Sequence, residues 1–235
     1  MIMPMHFDMT YVYLVLPALA FALIAGAMVK STFAKYSRQM SSRRITGAEA
    51  AERILRANGL YNVRIERVSG SLTDHYDPKS NTIRLSQSVY SETSTAAIGV
   101  AAHEAGHAIQ YAENYAPIKV RAAIVPATQV GSKLAIPLIL IGIILAGMSE
   151  TFIGFAYAGL LCFTLSVFFQ LVTLPVEFNA SRRAMAAIEK SAILSGDELT
   201  GARRVLSAAA MTYVAALAVS LAQLLRFMAM LGRRR

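Results

Sequence analysis

Nineteen consecutive residues, Tyr11 to Val29, carry no charged side chain, and a helix of that length reaches across the roughly 30 Å hydrocarbon layer of a bilayer. Such a run must lie in lipid or in a large core. The rest of the chain favours lipid, since 55% of its 235 residues are hydrophobic and its mean hydropathy is +0.47, above a typical soluble domain. Leu134 to Met148 and Phe152 to Leu174 are also charge-free and are separated only by Ser149-Glu150-Thr151. They predict a membrane hairpin, the shorter first limb being extended by Ser132 and a snorkelling Lys133. Val205 to Leu225 is a fourth uncharged run. The alternative, a buried hairpin in a soluble core, suits shorter apolar segments.

The stretch Met1 to Thr10 has no Lys or Arg and one acid, Asp8, whereas a cleavable signal opens with positive charge, so the first run is expected to remain as an anchor. Fourteen of the 23 basic residues fall between Lys30 and Lys133 and five more between Arg182 and Arg204, with none in the tail or the 149–151 turn. Both large loops should therefore face the cytoplasm, as basic loops do in a multi-pass protein of the inner (plasma) membrane. Arg226 and Arg233 to Arg235 resist this scheme, which leaves the last run either crossing or lying at the interface. The net charge of +9 is better explained by attraction to anionic lipids than by nucleic acid, since no stacking platform or nucleic-acid motif accompanies it. A single cysteine, Cys162, excludes an internal disulfide and a cysteine metal site.

Between the anchor and the hairpin lies the segment His103-Glu104-Ala105-Gly106-His107. Two histidines four apart on a helix share a face and can hold one Zn²⁺, and the glutamate between them can act as base for the attacking water of a peptidase. Ala101, Ala102, Ala105, Gly106 and Ala108 surround these polar residues with little bulk, so another helix can approach closely. This helix should start near Ser94 or Thr95 and run to about Tyr111. Ahead of it, Thr46 and Glu49 predict a capping box for a helix through Ala57, stopped by Asn58-Gly59. Tyr61 to Val68 and Asn81 to Ser86 read as strands, and the polar Leu72 to Pro78 segment reads as a turn. A small sheet beside the zinc helix would offer an edge strand to an extended substrate.

A catalytic zinc takes three protein ligands. Of the other two histidines, His6 lies in the tail and His75 in a loop, and the metzincin pattern fails because Gln110 and Glu113 stand where it needs Gly and His. An intramembrane site of the site-2 type would use a later membrane Asp, but the only later one is Asp197, in a polar loop. Glu150 faces the wrong side, and Glu189, Asp197 and Glu198 lie in a solvated helix and turn. Glu177 remains, following Pro175 where the hairpin emerges and heading a helical run whose face also carries Ser181 and Ala184.

The strings Asp74-His75-Tyr76-Asp77-Pro78, Ile83-Arg84-Leu85-Ser86, Val100 to Gln110 and Leu174 to Ser181 resemble the bacterial YugP-like neutral zinc metallopeptidases, over nearly the whole chain. That resemblance implies a membrane-anchored, zinc-dependent peptidase. More distantly the chain is similar to HtpX-type gluzincins, whose third ligand is a Glu followed four positions later by Asp. Ser181 stands at that place here, and a short neutral side chain cannot make the same charged contact.

The expected fold is a mainly α membrane protein: a helical zincin-like catalytic domain with a small β-sheet, plus three or four transmembrane helices. Residues 1–30 form the anchor, 31–133 a cytoplasmic catalytic part, 134–174 the transmembrane hairpin, 175–204 a second catalytic part, and 205–235 a hydrophobic helix with a basic tail. His103, His107 and Glu177 are the expected ligands and Glu104 the base. His75, Tyr213 and Arg183, in that order, are candidates to stabilise the oxyanion. The expected substrates are peptides or membrane proteins met at the cytoplasmic surface, as in quality control. The competing reading is a non-catalytic zinc-binding scaffold or chaperone-like adaptor, against which Glu104 speaks, because a closed structural site needs no such base.

Overall fold

The computed structural model describes residues 9–232; the tail bearing His6 and Asp8, and Arg233 to Arg235, lie outside them. The chain is mainly helical and divides into two compact units. One takes the residues up to Ile24, Val120–Thr173 and those from Tyr213 on; the other takes Ala25–Lys119 and Leu174–Thr212.

In the second unit, helix α2 (Gly47–Ala57) opens with the expected capping box: Thr46 accepts from the Glu49 amide and Glu49 reaches back to the Thr46 amide. Its buried residues Gly47, Ala50, Ala51, Ile54 and Leu55 follow the three-four spacing of one helix face. It stops at Asn58 and Gly59, the latter at a φ of +74° that glycine adopts without strain. Strands β1 (Arg64–Val68), β2 (His75–Asp77) and β3 (Thr82–Ser86) form a sheet in the order β1-β3-β2, with β1 parallel and β2 antiparallel to β3. The central strand places Ile83 and Leu85 in the core.

The segment read as a polar turn is thus partly a strand, and its polarity has a structural use. Asp74 accepts the Ser86 amide at 2.7 Å, the Tyr76 hydroxyl donates to Asn81 at 2.7 Å, and Asp77 accepts from Ser80, Arg84 and the Lys79 amide. The hydrogen bonds from Ser80, Arg84 and Lys79 hold the Asp77 carboxyl down to about 2. A short helix α3 (Gln87–Tyr90) leads to α4 (Thr95–Ala112), capped by Ser94. Its alanine-rich face packs into a core with Ile54, Leu55, Leu85, Ile188 and Leu206.

Among the described residues, four helices are long and apolar enough to cross a membrane: Tyr11–Tyr36, whose α-helical part is α1 (Leu16–Tyr36), α5 (Ala116–Leu145), the stretch Glu150–Lys190 with α6 (Ile153–Lys190), and α7 (Gly196–Gly232). Two expectations need correction. The first hairpin limb is no fifteen-residue run but part of a thirty-residue helix that begins at Ala116. Glu177 does not head a new helix after Pro175, because Pro175 lies inside α6. A proline removes one backbone donor and can kink a helix, but the remaining ladder carries a long helix past it.

In the first unit, α5 and α6 meet through small residues. A Cβ on Gly159 would stand 2.6 Å from the Ala135 carbonyl oxygen, and one on Gly142 would collide with Ala156, the close backbone approach that favours association of helices in lipid. Arg226, the cation at odds with the charge scheme, lies over the Tyr11 ring at 4.9 Å from its centroid. The far part of α7 therefore lies beside the beginning of the first span.

Candidate metal centre

Helices α4 and α6 cross where their side chains are smallest. A Cβ on Gly106 would stand 2.5 Å from the Ala180 carbonyl oxygen, so the residue that costs α4 about 1 kcal/mol in helix propensity is the one that lets α6 come this close. Val176, Ala180 and Ala184 of α6 are fully buried. Glu177, next to Val176, is thereby carried to the histidines.

The Glu177 Oε2 atom lies 3.2 Å from His103 Nε2 and 3.6 Å from His107 Nε2, and the ligand atoms of the three residues all lie within 4.8 Å of one another. The rings meet edge to face at 4.7 Å between centroids. On the far side of each ring a different group holds Nδ1: Ser181 Oγ at 3.1 Å for His103 and Gln110 Oε1 at 2.9 Å for His107. Both Nε2 atoms thus converge on one carboxylate oxygen, the donor set and arrangement a three-ligand zinc site requires. Burial works against charge on His107. The Glu177 carboxylate and the nearby Glu104 charge outweigh it, however, and raise that imidazole above its ordinary range.

Glu104 is 7% exposed, and among the described residues nothing donates a hydrogen bond to its carboxylate. Its oxygens are not among the fully buried atoms without a partner, so the carboxylate reaches open space in which a water can stand. Here it stands one residue from His103, close enough to His107 to influence its protonation.

The other sequence candidates are not ligands of this cluster. His75 begins β2, exposed, with Nδ1 against the Thr73 carbonyl at 2.8 Å, and it is not among the three clustered residues. The Arg183 guanidinium is engaged by Asn179 at 2.7 Å and Glu113 at 2.6 Å, and lies over the Tyr115 ring. Tyr213 lies in α7, directly after Thr212, the last residue of the second unit. Ser181 touches His103 after all, with a neutral contact where the HtpX pattern would have a charged one.

Two further polar residues at the site went unnoticed in the sequence. Gln110 is fully buried and Asn179 hydrogen-bonds it. The signal was available in the spacing: Gln110 lies three residues after His107, and Arg183 four after Asn179, so each pair shares a helix face.

The chain is 48% identical over 219 residues, 93% of its own length and 95% of the relative's, to "Putative membrane protease YugP" of Bacillus subtilis (strain 168). No solved structure matches it. A family model described as "Putative neutral zinc metallopeptidase" matches residues 11–232, and a chain with this donor set, matched over nearly its whole length, belongs to that zinc peptidase family.

Proposed function

We propose that this protein is a multi-pass membrane zinc endopeptidase of the gluzincin type, in which His103, His107 and Glu177 hold the metal and Glu104 is the general base. The observation that carries this reading is the convergence of His103, His107 and Glu177, with Glu104 one residue from His103 and, among the described residues, taking no hydrogen-bond donor. Zinc held there would act as a Lewis acid towards the scissile carbonyl and make water easier to deprotonate. Glu104 takes the proton of the attacking water and passes it to the leaving amine. Ser181 and Gln110 hold the two imidazoles so that Nε2 faces the metal.

Substrate binding follows from the sheet. Among the described residues, strand β2 pairs with β3 on one side only, and Tyr76 of β2 lies against Tyr111 of α4, with 5.6 Å between ring centroids. Its other side can take an extended peptide by backbone hydrogen bonds. His75, at the start of that strand with Nε2 turned from the Thr73 contact, is the residue suited to meet the oxyanion. Arg183 is less suited, because its guanidinium already has two partners.

The function is tested on detergent-purified full-length protein with an unfolded protein as substrate. Cleavage should stop on metal chelation and return with stoichiometric zinc. A preparation that holds zinc and leaves every substrate intact would make the protein a scaffold.

The basic segments place residues 31–133 and 175–204 in the cytoplasm by the positive-inside rule. The site would then meet membrane-protein loops at the inner surface, a setting for quality control. In a Cys162→Ser background, Ser149→Cys should react with an impermeant thiol reagent on intact cells, whereas Lys79→Cys and Lys190→Cys should react only after permeabilisation. The reverse pattern would put the site outside.

A further inference from the structure

His107 does not choose its own tautomer; a chain of hydrogen bonds that begins at Arg183 chooses it. Arginine only donates, and Arg183 Nε lies 2.7 Å from Asn179 Oδ1, so the amide of Asn179 must present its oxygen here. The same oxygen lies 2.9 Å from Gln110 Nε2, which also lies 2.8 Å from the Val176 carbonyl oxygen. Two acceptors on that side oblige Gln110 to present its NH₂ to them. Its oxygen must then face His107, 2.9 Å from Nδ1, and an imidazole nitrogen facing an acceptor carries the proton. The neutral ring is therefore protonated at Nδ1, with the lone pair on Nε2, where Glu177 converges. Glu113 anchors the far end by accepting from Arg183 at 2.6 Å.

No member of this chain can reverse alone. Turning the Gln110 amide would set its oxygen against those of Val176 and Asn179, and turning Asn179 would set an NH₂ against Arg183. Gln110 is fully buried, so water cannot relieve such a mismatch. His103 differs, because its Nδ1 meets the Ser181 hydroxyl, which can donate or accept and imposes no direction.

We propose that Gln110, Asn179 and Arg183 are positioning residues that lock His107 in its zinc-binding tautomer, while His103 remains adaptable. This assigns Arg183 a place behind the metal ligand in preference to one at the oxyanion. The proposal rests on the ligand reading above.

The test uses full-length protein in detergent, with zinc affinity read by chelator competition and ring protonation by NMR of protein labelled with ¹⁵N-histidine, whose four histidines can be assigned by substitution. In zinc-loaded wild type, His107 should show a solvent-protected Nδ1–H. Gln110→Met, close in size and without an acceptor oxygen, should lose that protection and bind zinc about 10- to 100-fold more weakly, the range for loss of a residue that orients a ligand. Arg183→Met, remote from the metal, should shift in the same direction by a smaller factor. Asn179→Asp keeps an acceptor towards both neighbours and should stay near wild type, whereas Asn179→Leu should resemble Gln110→Met. Ser181→Ala should weaken binding less than Gln110→Met.

Wild-type affinity together with a protected His107 Nδ1–H in Gln110→Met would overturn the proposal. Should that variant fail to fold, equal zinc affinities in Asn179→Asp and Asn179→Leu would overturn it instead. Zinc retained at full affinity in His107→Ala would strike the ligand reading itself, an outcome distinct from either.

Discussion

Glu104→Gln is expected to keep its zinc and to hydrolyse peptides at least about 10³-fold more slowly than wild type, within the range of general-base catalysis. The substitution replaces one oxygen by NH₂ and leaves side-chain volume and helix propensity almost unchanged, so folding should not suffer. Glu104 is not among the residues whose ligand atoms cluster, which separates base from ligand. At roughly 1.4 kcal/mol per decade, the loss corresponds to about 4 kcal/mol of transition-state stabilisation. The amide also suits the local hydrogen bonding no worse than the carboxylate, since none of the described residues donates to Glu104. Hydrolysis near the wild-type rate in this variant, measured beside an unchanged zinc content, would remove Glu104 from the mechanism. Loss of zinc would instead make it a ligand.

The sequence disclosed the parts of this protein that rest on local rules. Charge-free runs located the long helices because lipid imposes one requirement on every residue of a span. The capping box at Thr46 and the stop at Gly59 were legible because each depends on contacts within a single turn. The histidine pair was legible for the same reason, since four-residue spacing on a helix settles which side chains share a face. Helix ends set by tertiary packing were not. Polar residues near Ala116 hid the continuation of α5, and Pro175 suggested a break that the remaining hydrogen bonds of α6 override.

Strand β2 escaped because its polar side chains are satisfied by partners in the turn and in β3, a relation that no period in a single strand displays. Gln110 illustrates the limit at the site. Its distance from His107 was visible, but its burial and its bonds to Val176 and Asn179 depend on a helix that starts some forty residues later. Gly106 stands between these cases. A glycine in mid-helix announced a close approach, but only the fold identified the Ala180 carbonyl as the neighbour.

Glu177→Ala should lower zinc affinity about 10²- to 10³-fold, as expected when one of three ligands is withdrawn from a site whose total binding energy is on the order of 10–16 kcal/mol. The buried setting makes the case stronger than ligand counting alone. Glu177 is 2% exposed, flanked by the fully buried Val176 and Ala180, and a carboxylate in such surroundings persists only where opposite charge or donors compensate its lost hydration. The two imidazoles within 3.6 Å are groups of that kind. Glu189→Ala is the control, because it removes an exposed carboxylate from the same helix and should leave zinc affinity unchanged. Chelator competition on both variants, with thermal unfolding of the metal-free proteins to exclude global collapse, makes the comparison direct. Equal affinity in Glu177→Ala and wild type would sink the three-ligand site. A comparable loss in Glu189→Ala would show that the measurement reports the stability of α6 rather than a bond to the metal.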